Sequence, residues 1–430
     1  MKKILLLLVT LILFFDQVRN HPFVVINDVS PDDIYTKTQF TLNGQQGYSG
    51  YINVDKTYGA NLFYTFWEAR DGNKNAPIIL WLQGGPGCSS IYGMMKEIGP
   101  VLIEDGTLKN NANTWNQHYH TIFIDNPVGA GYSYVENSDG YVTDESQMSQ
   151  DLYDALTVFF SKYSDYSQND FYVFGESYGG KYVPAISYRI YEEGMKIKLK
   201  GFGVGDGLTD PINQLPYFSE YAYALGLIDQ NQKTIVEQYQ QNAIEAIQTK
   251  DWDHCETLFW KAPSAVSEYG GGVNVYDIRR YSSYDDSDIE TYLDSDTAKN
   301  IFGTQRDWQF CSSQAGSYLY KDFCKSVRPL VDVLVQNGVK AMFYNGQFDL
   351  IVNLMGATNW INQINWAGKN DFLNAERTIW KVDGQVAGYA RNYQNLYQVF
   401  VNKGGHMSPM DQPENTLDMV TRFIENKSFN

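Results

Sequence analysis

Gly175-Glu176-Ser177-Tyr178-Gly179 follows directly on the apolar run 171–174 and opens a helix-like stretch that continues to Tyr191. A chain that must pass from strand to helix through so short a turn has few folds open to it. Small residues two positions either side of Ser177 let the backbone bend tightly enough to lift its hydroxyl above a sheet edge. Glycine-x-serine-x-glycine is a weak motif by itself. Its position between a strand and a helix makes Ser177 a candidate nucleophile.

The same rhythm recurs along the chain. Residues 48–54 and 60–67 alternate apolar and polar side chains around Tyr58-Gly59, which predicts an antiparallel hairpin. Short apolar runs follow at 77–82, 121–124, 171–174, 199–204, 341–344 and 396–401, with helix-like segments among them at 144–163 and 181–193. Strands alternating with helices predict an α/β fold, a doubly wound and mostly parallel sheet covered on both faces. With 430 residues the chain exceeds one compact core, so an insertion is expected. From Pro211 to about Trp308 the alternation stops and helical patterns at 217–225 and 230–248 take over. The organisation expected is a signal at 1–20, core at 21–210, a largely helical cap at 211–310, and core again at 311–430. Asp285, Asp286, Asp288, Glu290, Asp294 and Asp296 lack calcium-loop spacing and read as a solvated loop, so no metal is expected.

Lys2 and Lys3 precede the apolar run 4–15, which Asp16, Gln17 and Arg19 interrupt. A basic start and so short a run predict a secretory signal, with the mature chain beginning near 17–22. No later stretch is apolar enough to cross a bilayer. A formal charge of −17 and a pI near 4.7 argue against nucleic acid or an anionic membrane as partner. Cys88, Cys255, Cys311 and Cys324 have no metal-site spacing, and in an exported chain they allow two disulfides in any of three connectivities. Asn426-Lys427-Ser428 is a glycosylation sequon.

A serine hydroxyl needs a base to take its proton, and histidine is the usual one. In the α/β-hydrolase arrangement the chain order is serine, then aspartate or glutamate, then histidine. Of five histidines only His254 and His406 follow Ser177, and His254 falls inside the expected cap. His406 lies in a glycine-rich loop just beyond the run 396–401, where catalytic groups of such sheets belong. Asp349 lies just beyond 341–344; Asp332 reads as mid-helix and Asp411 comes after the histidine. Ser177, Asp349 and His406 are therefore the expected triad. The oxyanion hole should combine the amide of Tyr178 with one from Gly84-Gly85-Pro86-Gly87, for which Gly85 is chosen.

Three further strings narrow the chemistry: Trp81-Leu82-Gln83-Gly84-Gly85-Pro86-Gly87-Cys88-Ser89-Ser90, Gly175 through Pro184, and Gly405-His406-Met407 with Pro409, Asp411, Gln412 and Pro413. Together with Asp125-Asn126-Pro127-Val128-Gly129-Ala130-Gly131-Tyr132-Ser133 they resemble the serine carboxypeptidase family (peptidase family S10) from about residue 40 to the end. Gln83, Gly205-Asp206-Gly207 and Tyr344-Asn345-Gly346-Gln347 are most similar to its vitellogenic-like branch.

The resemblance implies a cofactor-free hydrolase that releases residues from peptide and protein C-termini at acidic pH, in a lysosome, a vacuole or outside the cell. It implies that Glu97 and Glu176 hold the terminal carboxylate, that Gln83 stands where asparagine is commoner, and that Trp81 supports them. A solvated helix residue is the alternative reading of Glu97. Two glutamates and a carboxylate cannot all be ionised together, so binding should weaken as pH rises. The resemblance also pairs Cys88 with Cys311, leaving Cys255 with Cys324. Acyl transfer or esterase activity on the same scaffold, a protective or binding role beside other hydrolases, and a homodimer all remain open.

Overall fold

A computed structural model of the chain describes residues 35–430. The expected signal at 1–20 lies outside the described residues. The strands, in chain order, are β1 (Thr38–Leu42), β2 (Gln45–Asp55), β3 (Ala60–Trp67), β4 (Ile78–Leu82), β5 (Val101–Glu104), β6 (Thr107–Asn110), β7 (His120–Ile124), β8 (Phe171–Glu176), β9 (Leu199–Gly205), β10 (Lys340–Gly346), β11 (Thr378–Val382), β12 (Gln385–Tyr393) and β13 (Leu396–Val401). Eleven of them form one sheet in the order β1-β2-β3-β7-β4-β8-β9-β10-β13-β12-β11, and β5 and β6 pair separately. From β7 through β13 in that order the neighbours are parallel. Both flanks are antiparallel. This is the expected α/β-hydrolase arrangement.

The continuous apolar runs follow from burial on both faces. Ile78, Leu80 and Leu82 of β4 enter one core with Phe171 and Val173 of β8. Their period-two neighbours Ile79, Trp81, Tyr172 and Phe174 enter the other. Helix Glu145–Lys162 starts on Asp144, whose carboxylate accepts the N–H groups of Ser146 and Gln147 at 2.9 Å each. Its Met148, Leu152, Leu156 and Phe159 recur at helical spacing and pack with Val183, Ile186 and Ile190 of helix Gly179–Glu192. Cutting one such side chain to alanine, Leu152 for example, would cost about 2–5 kcal/mol. Met419, Val420 and Phe423 of helix Pro413–Glu425 cover the opposite face.

Strand order also places the site. From β4 the chain moves to β7 on one side, and the next sheet strand, β8, pairs with the other side of β4. Connections diverging from neighbouring parallel strands leave a crevice at their C-terminal ends.

Between β9 and β10 the chain forms no strand of either sheet. Helices Phe218–Ala224 and Gln230–Thr249 match the sequence patterns, the second opening with a capping box of Asp229 and Gln232. Helix Trp252–Tyr269 was not anticipated and continues through Pro263. The acidic stretch expected to be a solvated loop is instead helical at Ser287–Leu293 and Asp296–Phe302. Its buried Ile289, Leu293, Ala298 and Phe302 anchor these turns. Asp288 and Glu290 occupy a first turn, where negative charge is favoured, and Ser295 caps the second helix. Disulfides join Cys88 to Cys311 and Cys255 to Cys324, tying the region to the loop after β4 and to the approach to helix Arg328–Gln336.

Candidate active site

Ser177 stands at the sharp turn between β8 and helix Gly179–Glu192, with φ at 59°. A non-glycine residue there is strained and must be held. The Ser177 N–H donates to the Gly205 carbonyl at 3.1 Å, and its own carbonyl accepts from Gly180 and Leu208 at 2.9 Å each. Gly175 and Gly179 allow the turn: a Cβ on either would stand 2.4 and 2.9 Å from the Leu82 carbonyl oxygen. Gly84 brings the loop after β4 against the same turn, since a Cβ on it would fall 2.5 Å from the Tyr178 nitrogen. Ser177, Gly85 and Tyr178 line a small cleft with Leu208, Phe259, Trp260, Tyr276, Phe323, Ile351 and Val352. A roomier open cleft around Asp144, Tyr318 and Lys321 contains none of the predicted site residues.

His406 follows β13 and is 4% exposed. Its Nδ1 bonds Asp349 Oδ2 at 2.9 Å, and Asp349 Oδ1 accepts the Val352 N–H at 3.1 Å. With Nδ1 engaged by a carboxylate, Nε2 is left to act as base. Nε2 is buried and has no hydrogen-bond partner among the described residues. The ring packs edge-on against Tyr276, centroids 5.1 Å apart, and the His406 N–H donates to the Tyr276 carbonyl at 2.7 Å. Because Tyr276 also lines the cleft beside Ser177, it connects the two halves of the site.

The expected carboxylate binders form one buried cluster. Glu97, in the short turn Met94–Ile98, is 1% exposed, as is Glu176, so neither is a solvated residue. Trp81 Nε1 donates to Gln83 Oε1 at 2.8 Å, which orients the Gln83 amide. Gln83 Nε2 then donates to Glu176 Oε1 at 2.7 Å and to Glu97 Oε1 at 3.3 Å. An amide nitrogen carries two hydrogens, so both donors of Gln83 are committed to the glutamates. Glu97 Oε2 and Glu176 Oε2 have no donor among the described residues. The two carboxyls are nonetheless close enough to hydrogen-bond each other, which requires a proton on one of them. Burial pushes Glu97 up to about 7. Burial first, and the Glu97 charge second, hold Glu176 well above the usual carboxylate range.

The family described as serine carboxypeptidase matches residues 37–426. This chain belongs to the serine carboxypeptidase family. It is 38% identical over 391 residues to serine carboxypeptidase S10 family member 1 of Dictyostelium discoideum, covering 88% of this chain and 94% of that one. It is 37% identical to the venom serine carboxypeptidase of Apis mellifera, over 89% of this chain and 85% of that one. Its vitellogenic-like relatives include the human probable serine carboxypeptidase CPVL, at 34% identity over 89% of this chain and 84% of that one. A crystal structure of Kex1(delta)p, a prohormone-processing carboxypeptidase from Saccharomyces cerevisiae, shares the fold with a TM-score of 0.81 at 22% identity, covering 93% of this chain and 97% of that one. The protein is a hydrolase of the serine carboxypeptidase kind and acts on peptide C-termini. Among the described residues no helix is long and apolar enough to cross a membrane.

Several residues around the site of this serine carboxypeptidase escaped the sequence reading. Tyr276 comes from the block between β9 and β10, and residues 275–278 are hydrogen-bonded to the loop carrying Asp349 through Leu350, Ile351 and Phe348. Asp411, rejected as triad acid by its place in the chain, accepts the Gly405 N–H at 2.6 Å and steadies the His406 loop. Gly93 lets its helix approach Trp81 and Gln83, since a Cβ there would sit 2.2 Å from Trp81 Nε1. A glycine inside an apolar helical run was the available clue. His254 is exposed and bonds only Asp251 among the described residues. Asn426 is exposed at a helix C-terminus, its Oδ1 accepting from Lys340.

Proposed function

We propose that this serine carboxypeptidase removes residues from peptide C-termini in acid through an acyl-enzyme on Ser177. Ser177 Oγ attacks the carbonyl of the last peptide bond while His406 Nε2 takes its proton. Asp349 holds Nδ1–H and stabilises the imidazolium. The amides of Gly85 and Tyr178 receive the oxyanion. His406 then gives its proton to the leaving nitrogen, the C–N bond breaks, and the terminal amino acid departs. Water attacks the remaining ester, His406 takes a proton from it and returns one to Ser177 Oγ, and the shortened peptide leaves.

The observation that carries this reading is the buried pair of glutamates beside the nucleophile, held by Gln83 and each with one oxygen that finds no donor among the described residues. Such a pair retains a proton and can present it to a carboxylate in a charge-assisted hydrogen bond. Gln83, with both hydrogens engaged, serves to position the glutamates. The sign of the pH dependence follows from the raised values. In acid the pair is protonated and attracts the substrate terminus; as pH rises through about 7, Glu97 ionises and repels it. KM should therefore rise toward neutral and alkaline pH.

Leu208, Phe259, Trp260, Phe323, Ile351 and Val352 make the wall beside Ser177 apolar, which favours an apolar side chain just before the scissile bond. The helical block 211–310 supplies Phe259, Trp260 and Tyr276 and acts as the cap. Acid activity, together with the secretory signal expected at 1–20, suits a lysosomal, vacuolar or secreted enzyme.

The deciding experiment digests one peptide with a free C-terminus and the same peptide amidated, between about pH 4 and 8, with products read by mass. We expect residues to be released from the free form in acid, with KM rising with pH, and much slower attack on the amide. Equal rates on the two peptides, or a flat KM, would overturn the reading.

A further inference from the structure

Behind the pair of His406 and Asp349 lies a further buried carboxyl, Asp206, which the mechanism above does not use. It follows β9 with φ at 46° and has no solvent exposure. Its Oδ1 accepts the Gly346 N–H at 2.7 Å and its Oδ2 accepts the Ser408 hydroxyl at 2.9 Å. Its carboxyl is also within hydrogen-bonding reach of Asp349. The groups facing it are Asp349 from the loop after β10, Glu176 from β8, Tyr344 from β10, Tyr221 from helix Phe218–Ala224, and Ser408 beyond His406. Apart from His406 itself, reached through Asp349, every one is acidic or neutral. No lysine or arginine among the described residues forms an ion pair with Asp206 or Asp349.

Two carboxyls in contact, both out of water and without a cation between them, cannot both be ionised. Asp349 is the one bonded to the imidazole, so the shared proton belongs on its partner. Burial, then the Asp349 charge, hold Asp206 well above the usual carboxylate range.

We propose that Asp206 is a positioning residue that remains protonated and donates a hydrogen bond to Asp349, weakening the grip of Asp349 on the His406 proton. A carboxylate that already accepts such a bond stabilises a neighbouring imidazolium less. The triad then works in more acid solution than it would with a lone carboxylate behind the imidazole. This would extend the activity of the site toward low pH. The inference rests on Ser177, Asp349 and His406 acting as the triad.

The test uses Asp206→Asn and Asp206→Ala in the full-length protein. Asparagine is neutral, keeps an acceptor for the Gly346 N–H and supplies a donor for Asp349. Ser408 can then accept from it, because its hydroxyl already reaches the Gly405 carbonyl at 3.0 Å. Alanine removes the donor altogether. The readout is the pH profile of Ser177 labelling by a fluorophosphonate, which needs the triad but no peptide, with kcat/KM on a peptide measured in parallel. We expect the acid limb of D206N to stay within about 0.3 pH units of wild type, and that of D206A to move up by about one unit, a loss of roughly tenfold on that limb. A downward shift of about a unit in D206N would mean that an ionised Asp206 had been removed, and would overturn the proposal. So would an unmoved limb in a folded D206A; if D206A does not fold, D206N alone decides. Failure of peptide release in a wild type that still labels at Ser177 would count against the carboxypeptidase mechanism and leave this inference standing.

Discussion

Glu97→Gln separates charge from shape in the carboxyl cluster. Glutamine has the volume of glutamate and keeps an acceptor for Gln83 Nε2, which reaches Glu97 at 3.3 Å, but it cannot ionise. In the wild type, with Glu97 pushed up to about 7 by burial, binding of a substrate carboxylate requires the protonated form. KM should then be about twofold above its acid value at pH 7 and about tenfold above it at pH 8, the latter equivalent to about 1.4 kcal/mol of lost binding. In E97Q the rise over the same range should be less than about twofold, with kcat in acid within about threefold of wild type. Initial rates on a blocked dipeptide with a free C-terminus, measured across that range, give both constants. A variant whose KM climbs with pH as steeply as the wild type's would refute the argument, because the repelling charge would then reside elsewhere.

Other outcomes follow from packing and linkage. Gly93→Ala places a methyl 2.2 Å from Trp81 Nε1 and 2.6 Å from Gln83 Oε1; we expect about 1–3 kcal/mol of destabilisation and KM raised more than kcat is lowered, measured by denaturation and steady-state kinetics. Replacing Cys88 and Cys311 with serine opens a crosslink spanning 223 residues, so a loss of about 2–5 kcal/mol in chemical denaturation is expected, and a loss below about 1 kcal/mol would refute it. Burial raises Asp125 to about 6, Glu97 to about 7 and Glu145 to about 8. Each binds its proton more tightly folded than unfolded, so stability should fall as pH climbs from the ordinary carboxylate range toward those values. His120, lowered by burial, works the other way in the acid range, but three carboxyls oppose one imidazole. Calorimetry should find a higher Tm near pH 5 than near pH 7.5, and a flat or rising Tm would refute the sign.

The parts of the fold that were legible from the residues are those where one short stretch contains its own instructions. The apolar runs at 78–82, 171–176 and 396–401 are strands because both their faces are buried, and such runs need no partner to be recognised. Strands β1, β11 and β12, at the two ends of the sheet, were not recognised. Ile379 and Val386 are exposed there, and a strand half in water mixes polar and apolar residues without a clear period. The two acidic helices were hidden for a related reason: seven-residue helices carry too few turns to establish a pattern.

The sequence by itself determined the turn at Ser177, the order serine, aspartate, histidine, and the glycines that bring one loop against another. These are local properties: a bend, a strand end and a missing side chain are decided within a few residues. Only the tertiary structure decided that Gln83 commits both its hydrogens to two glutamates, that Tyr276 joins the imidazole to the cleft, and that Asp206 shares a buried contact with Asp349. Those partners come from strands and loops as many as 143 residues apart, Asp206 and Asp349 being the farthest. Their ionisation depends on how completely the folded chain excludes water, which no stretch of sequence specifies alone.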